Sequence, residues 1–239
     1  MAKINFPKLI AIAVPCIALA VLSGMQSLSS VATRKAPAQA VALNPYNGLA
    51  QEQLAFRELR EQVAEGVPIQ EAARNAAVRA RLGLKYDPLA PKSYALLAMA
   101  EEDPERRSAI LEEAIKLNRR DNALLGVVLE DHIGNEDVRS VVTTWDLLLR
   151  VHPNYSEGSF PELVSVLKRE GAPPFFSDIL TGDAPWHEAF LRFAVRDDEA
   201  LPNLAQIRSN ITIEDERFDR QLITGLARIG DMELSLIHI

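Results

Sequence analysis

The sequence predicts an all-α protein in which antiparallel helix hairpins stack one on the next, preceded by one N-terminal apolar helix. Three observations lead there. Ala and Leu abound, β-branched alternation is scarce and only 11 of 239 residues are Gly, a composition that favours helices over sheets. Asp87-Pro88 closes an Ala-rich amphipathic stretch and Val151-His152-Pro153 closes another 65 residues later. Half that interval is close to the roughly 34-residue period of a helix-pair repeat. Between these closures, apolar residues recur at helical spacing in short segments separated by Gly, Asn or Asp-Pro.

The N-terminus comes first. Residues 1–8 carry Lys3 and Lys8, and 9–25 (LIAIAVPCIALAVLSGM) hold no charge across 17 residues. A helix of that length is roughly 26 Å long, at the short end of spanning range. Two readings compete. A signal peptide would be cut at Ser30-Val31-Ala32 or Ala38-Gln39-Ala40. An uncleaved anchor, the preferred reading, would leave Arg34 and Lys35 just beyond the bilayer, with Pro15 kinking the helix without excluding it. Two lysines plus the amino terminus against Arg34 and Lys35 place the N-terminus in the cytoplasm, so the body lies outside it. Cys16, the only cysteine, precludes an intrachain disulfide and lacks the preceding small residues of a lipoprotein signal.

Residues 26–48 are Ser/Ala/Pro-rich and then Asn/Gly-rich, and read as linker. In the first hairpin, 49–65 carries Leu49, Leu54, Phe56, Leu59 and Val63. Gly66 and Pro68 break it, and 69–85 carries Ala72, Ala73, Ala76, Ala80 and Leu84. Small residues on one face permit the close approach a tight hairpin needs. In the second, 92–102 places Tyr94, Leu97 and Ala98 on a stripe. Asp103-Pro104 then caps 105–117, with Leu111, Ala114 and Ile115. In the third, 122–133 carries Leu124, Leu125, Val128 and Leu129, Gly134-Asn135 makes the turn, and 137–151 carries Val141, Trp145, Leu148 and Leu149.

Residues 154–214 read as irregular hairpins continuing the stack, with short helices at 160–169, 174–180, 186–196 and 201–209. Phe218, Leu222, Leu226 and Ile229 make a helical stripe in 215–233, read as the first helix of a further repeat that is cut short. The final LSLIHI, 234–239, resembles the in-frame translation of a sequencing-library transposase end, so it is expected to be non-native and His238 is left out of any site.

Over 49–153, and again at 215–232, the chain resembles the tetratricopeptide repeat family. The family's hallmark is a small residue in each helix where the two cross, a bulky residue one turn before the second small one, and a closing proline. Ala98, Leu111 and Ala114 match those roles, as does Ala80 before Pro88. Trp145 matches the bulky role, whereas Leu148 stands where a small residue is usual and Arg119 where the closing proline would be. The resemblance implies a right-handed solenoid whose curved surface binds other molecules. A short basic anchor followed by degenerate repeats is also similar to periplasm-facing repeat proteins of Gram-negative bacteria, some associated with envelope or exopolysaccharide assembly. That layout implies a single-pass inner-membrane protein with its body in the periplasm, the alternative being release into the periplasm after signal cleavage.

Charge and motifs narrow the function. Beyond residue 40 the chain holds 22 basic against 33 acidic residues, which repels phosphate backbones, so no nucleic-acid partner is expected. No Gly-rich phosphate loop, serine elbow, HExxH, CxxC or acidic calcium loop occurs. Catalytic, cofactor and metal sites are therefore all expected to be absent, with no small-molecule substrate. Three runs deserve weighing. Glu130-Asp131-His132 reads as a solvated helix end, because Asn135, the i+4 partner of Asp131, lies past the helix. In Trp186-His187-Glu188, adjacent helical residues point about 100° apart, so Trp186, Phe190 and Phe193 should pack inward while His187 and Glu188 face water. Asp197-Asp198-Glu199 should supply an N-cap.

The expected function is a non-catalytic membrane-tethered scaffold for a protein or peptide partner that carries basic groups. Ser93, Glu101, Asn122 and Glu130 are the polar residues that could reach a concave face. The alternative is an accessory part of an envelope or exopolysaccharide synthesis or secretion system whose catalytic part lies elsewhere.

Overall fold

The computed structural model describes residues 6–230, and among them there is helix and turn but no strand. The adapter-like segment 234–239 and the start of the basic leader lie outside the described residues. The chain divides into two compact units, residues 1–124 and 125–239.

In the first unit, α1 (Phe6–Ala32) contains Pro15 yet stays helical throughout. Its span Ala11–Ala32 has a mean hydropathy of 1.8 and is unburied save for Ser29 near its end, so among the described residues one helix is long and apolar enough to cross a membrane.

The segment expected to be linker is structured. α1 runs on to Ala32, α2 (Pro37–Leu43) starts at Pro37, and α3 (Gly48–Ala64) follows after a short turn. Side chains tie these elements together. Ser29 Oγ donates to the Ala40 carbonyl at 2.9 Å. Asn47 Nδ2 donates to Ser29 Oγ and to Thr33 Oγ1, both at 2.9 Å, while its Oδ1 accepts from the Ala50 amide at 3.0 Å. One asparagine therefore caps α3 and clamps the end of α1 at once. Composition marked this stretch as loop because Pro and Asn commonly break helices; here Pro37 occupies a first turn and Asn47 a cap, where each is favoured.

α4 (Ile69–Tyr86), α5 (Pro91–Ala100) and α6 (Pro104–Leu117) complete the hairpins. Gly48, at the start of α3, lies against Gly83 and Asp87 at the end of α4, and Arg79 reaches back to Glu58 and Gln51, so α3 and α4 are antiparallel. α5 reverses again: Arg74, early in α4, pairs with Glu102 just past the end of α5. The core holds Ala55, Leu59, Ala72, Ala73, Ala76, Ala80 and Leu96.

The small face of α4 is as the sequence predicts, but that of α3 is rotated. Of Leu49, Leu54, Phe56, Leu59 and Val63 only Leu59 is buried, and the inward face is Gly48, Ala50, Gln51, Glu52, Ala55 and Leu59. The reason is distance. A Cβ on Gly48 would sit 2.6 Å from the Asp87 amide nitrogen and 2.7 Å from the Gly83 carbonyl, so the helices meet too closely for a Leu seam. In α5, Ala98 is buried as predicted, but Leu96 and Ala95 pack fully where Tyr94 and Leu97 were expected to.

α7 (Asn122–Gly134) carries the boundary between the units, and its Leu124, Leu125, Val128 and Leu129 are buried as predicted. The residue past its turn that adopts a left-handed conformation is Glu136, with φ 57°, and not Gly134. The second unit continues with α8 (Val138–Val151), a 3-10 turn at Pro153–Tyr155, α9 (Ser156–Leu167), α10 (Pro173–Leu180), α11 (His187–Ala194), α12 (Leu201–Asn210) and α13 (Glu216–Ile229). Val141, Trp145, Leu148 and Leu149 of α8 are buried. Rings build the centre: Phe190 stacks on Phe176 at 5.7 Å and meets Phe160 and Trp186 edge-on. Asp215 caps α13 through the Arg217 and Phe218 amides, and Gly230 ends it at φ 81°, a left-handed stop suited to glycine. The Asp197-Asp198-Glu199 run differs from expectation. Asp197 turns back onto the Glu199 amide, and α12 begins after Ala200 without a side-chain cap.

Candidate functional site

Two polar nodes, one in each unit, gather ionisable side chains at buried or half-buried positions. In the first, α5 begins at Ala90-Pro91 with no side chain of its own to cap it. Glu52, 40 residues earlier on α3, does so instead: its Oε2 accepts from the Lys92 amide at 2.8 Å and from the Ser93 amide at 3.3 Å. A carboxylate suits a helix N-terminus, but Glu52 is only 1% exposed. Burial pushes its pKa up to about 7, against the lowering effect of the Ser93 and Lys92 amides and of the Lys92 charge, with Asp121 adding a further upward push. Ser93 is packed against Gly83, and its hydroxyl has no hydrogen-bond partner.

In the second unit, Asp146 on α8 gathers three donors. Trp186 Nε1 donates to its Oδ1 at 3.0 Å, Arg150 Nε donates to both oxygens at 2.8 Å, and His187 Nε2 stands 3.7 Å away. Burial pushes the Asp146 carboxyl upward, but the nearby His187 and the bonds from Arg150 and Trp186 outweigh it and hold it below the usual carboxylate value; His187 Nε2 itself has no hydrogen-bond partner. His187 Nδ1 lies 3.1 Å from the Gly182 carbonyl and Arg150 Nη1 donates to the Asp183 carbonyl at 2.9 Å. The cluster thus fastens the 181–186 loop to α8. With Nδ1 on a carbonyl and Nε2 turned to Asp146, neither ring nitrogen is presented to a substrate, so this geometry serves a structural tie better than a general base.

Two surface pockets in the second unit have opposite character. One, of about 360 Å³, is lined by Asp183, Glu188, Glu214 and Asp215 with His187 and Ile213, and Arg192 bridges Glu188 and Asp215 across it. The other, of about 370 Å³, presents Arg196, Arg220 and Arg228 beside Thr224. Among the described residues no group of three His, Cys, Asp or Glu side chains could hold a metal ion.

The residues singled out from sequence scatter. Ser93 is fully buried and so cannot line an open face. Glu101 folds back on its own turn, accepting from the Glu102 and Asp103 amides, while Asn122 and Glu130 are exposed. Asp131 is buried, against the expectation of a solvated end, and Asn135 Nδ2 reaches it at 3.3 Å. His187 is 8% exposed and Phe193 37%, the reverse of the expected order. Trp186 and Phe190 are buried as expected, one helical turn apart with the Phe190 amide on the Trp186 carbonyl, while His187 is drawn inward by the Gly182 carbonyl.

Sequence reading missed Glu52, Asp146 and Asn47. The uncapped Ala90-Pro91 start hinted that an acidic group must come from elsewhere, and Asp146–Arg150 is a visible i,i+4 pair. Nothing local marked Asn47 as a clamp. No protein-family model matches the chain, and no curated protein matches its sequence.

Proposed function

We propose that the chain is a non-catalytic, membrane-tethered helical scaffold that holds a protein or peptide partner bearing basic groups outside the cytoplasm. In this reading the hairpins form a right-handed stack of the tetratricopeptide kind. The observation that carries it is the alternation in the first unit: α3 and α5 start at the same end, tied by Glu52, while α4 runs back between them. Helix pairs repeated in this sense leave the first helix of each pair to line a common surface. The buried Glu52 and His187 and the half-buried Asp146 are engaged in fastening helices and loops, which fits a framework role. The acidic pocket around Glu188 and Glu214 suits a lysine or arginine of the partner.

Tethering draws support from α1, which is apolar, unburied from Ala11 to Leu28 and clamped at its end. Both small-residue cleavage sites fall on ordered backbone: Ser30-Val31-Ala32 is the last turn of α1, and the Ala40 carbonyl holds Ser29. A leader peptidase works on extended chain, so this favours the anchor.

The test is capture by the full chain in detergent, with bound proteins identified by mass spectrometry across a salt series. A basic partner should be retained at low salt and released as salt rises. Glu188→Lys with Glu214→Lys should abolish retention, whereas Arg220→Glu in the other pocket should not. Retention that ignores salt and the double charge reversal would refute the reading.

A further inference from the structure

We infer that the α2–α3 turn, with Tyr46 at its tip and Tyr86 and Lys85 beside it, is a contact surface for the headgroup layer of the bilayer that carries α1. This rests on the anchor reading above.

Side-chain bonds fix the height of that turn. Asn44 reaches Gln26, Ala40 receives Ser29, and Asn47 holds both Ser29 and Thr33. The segment 40–47 therefore lies alongside the last two turns of α1, with Asn44 at the end nearest the apolar stretch. Under the anchor reading with 9–25 as the span, Gln26, the first long polar side chain beyond it, lies where hydrocarbon gives way to headgroups. Residues level with it are held in the same layer.

The chemistry at that level matches. Tyr46 is 69% exposed, although its ring packs edge-on against Tyr86 at 5.2 Å. Lys85 Nζ stands 5.4 Å from the centre of the Tyr86 ring, and Arg34 and Lys35, just past α1, are exposed. Tyrosine concentrates at membrane interfaces because its ring is apolar and its hydroxyl wet. Lysine and arginine stems lie along apolar surface while their charges reach phosphates. In water alone, a large exposed ring at a Pro-Tyr-Asn turn gains nothing by its position. In the headgroup layer it is partly desolvated.

The experiment uses the full chain, with Cys16→Ser, reconstituted in vesicles of phosphatidylethanolamine and phosphatidylglycerol. Single cysteines at Met25→Cys, Pro45→Cys and Tyr46→Cys carry a nitroxide, and collision with oxygen and with a water-soluble nickel chelate reports depth. Pro45→Cys keeps both tyrosines, so loss of the Tyr46 ring does not decide the result. The expected result places the label at 25 in hydrocarbon, with the labels at 45 and 46 several-fold less open to nickel than a label at exposed Glu113→Cys. A deep label at 25 with labels at 45 and 46 as open to nickel as the one at 113 would overturn the contact surface and leave the anchor standing. A label at 25 in water would sink the anchor and the contact surface together.

Discussion

Neutralising Glu52 should change how the first unit responds to pH. Folding takes this carboxyl, ordinarily near 4.5, to about 7. Between those values the folded protein keeps a proton that the unfolded chain has released. Stability therefore falls as pH rises through that window and levels off above it. The full effect is about 3 kcal/mol from the shift. Asp137, Asp146 and Asp215 are held below their ordinary values, so their contributions are lost only in more acidic solution. Glu52→Gln keeps an oxygen that can accept from the Lys92 and Ser93 amides and has no charge to bury. Urea unfolding of the full chain in detergent, followed at 222 nm from pH 5 to 8.5, should show wild type losing about 2–3 kcal/mol and Glu52→Gln losing far less. Equal slopes in the two proteins, or a wild type that gains stability toward pH 8, would refute the reasoning.

The other expectations concern packing and turns. Gly48→Ala should destabilise by about 2–3 kcal/mol, because its Cβ would meet Asp87 and Gly83 backbone. Gly126→Ala, where nothing stands within 4 Å, should stabilise by about 0.5–1 kcal/mol; both are read from thermal midpoints. Trp186→Phe removes the donor to Asp146 and should cost about 1–2 kcal/mol, with the 181–186 loop losing amide-exchange protection before α8 does. Glu136→Gly should stabilise by up to about 1 kcal/mol, since φ 57° is strained for a side-chain-bearing residue.

How much of this was legible before any coordinates depended on range. Helix positions from α3 to α8 follow from periodicity and from Asp103-Pro104, signals that act within one or two turns. The alanine face of α4 was readable because small residues at helical spacing have one use in a hairpin. The face of α3 was not, since its rotation is imposed by Gly48 meeting Gly83 across 35 residues, and hydrophobicity alone preferred Leu54 and Phe56. The same limit hid Glu52: a carboxylate that caps another helix looks, in sequence, like any solvated glutamate. The burial of His187 was out of reach too, because it depends on the Gly182 carbonyl and on Asp146, 41 residues earlier, and not on the spacing within α11.

The bonds from Asn47 to Ser29 and Thr33 carry a mechanical consequence. Under the anchor reading proposed above, these bonds would pass a tilt of α1 on to the first hairpin. A bilayer that thins or thickens changes the tilt of a helix whose apolar length is fixed. On that reading the first unit would act as a lever whose fulcrum is a single amide side chain, with membrane thickness one of the forces on it.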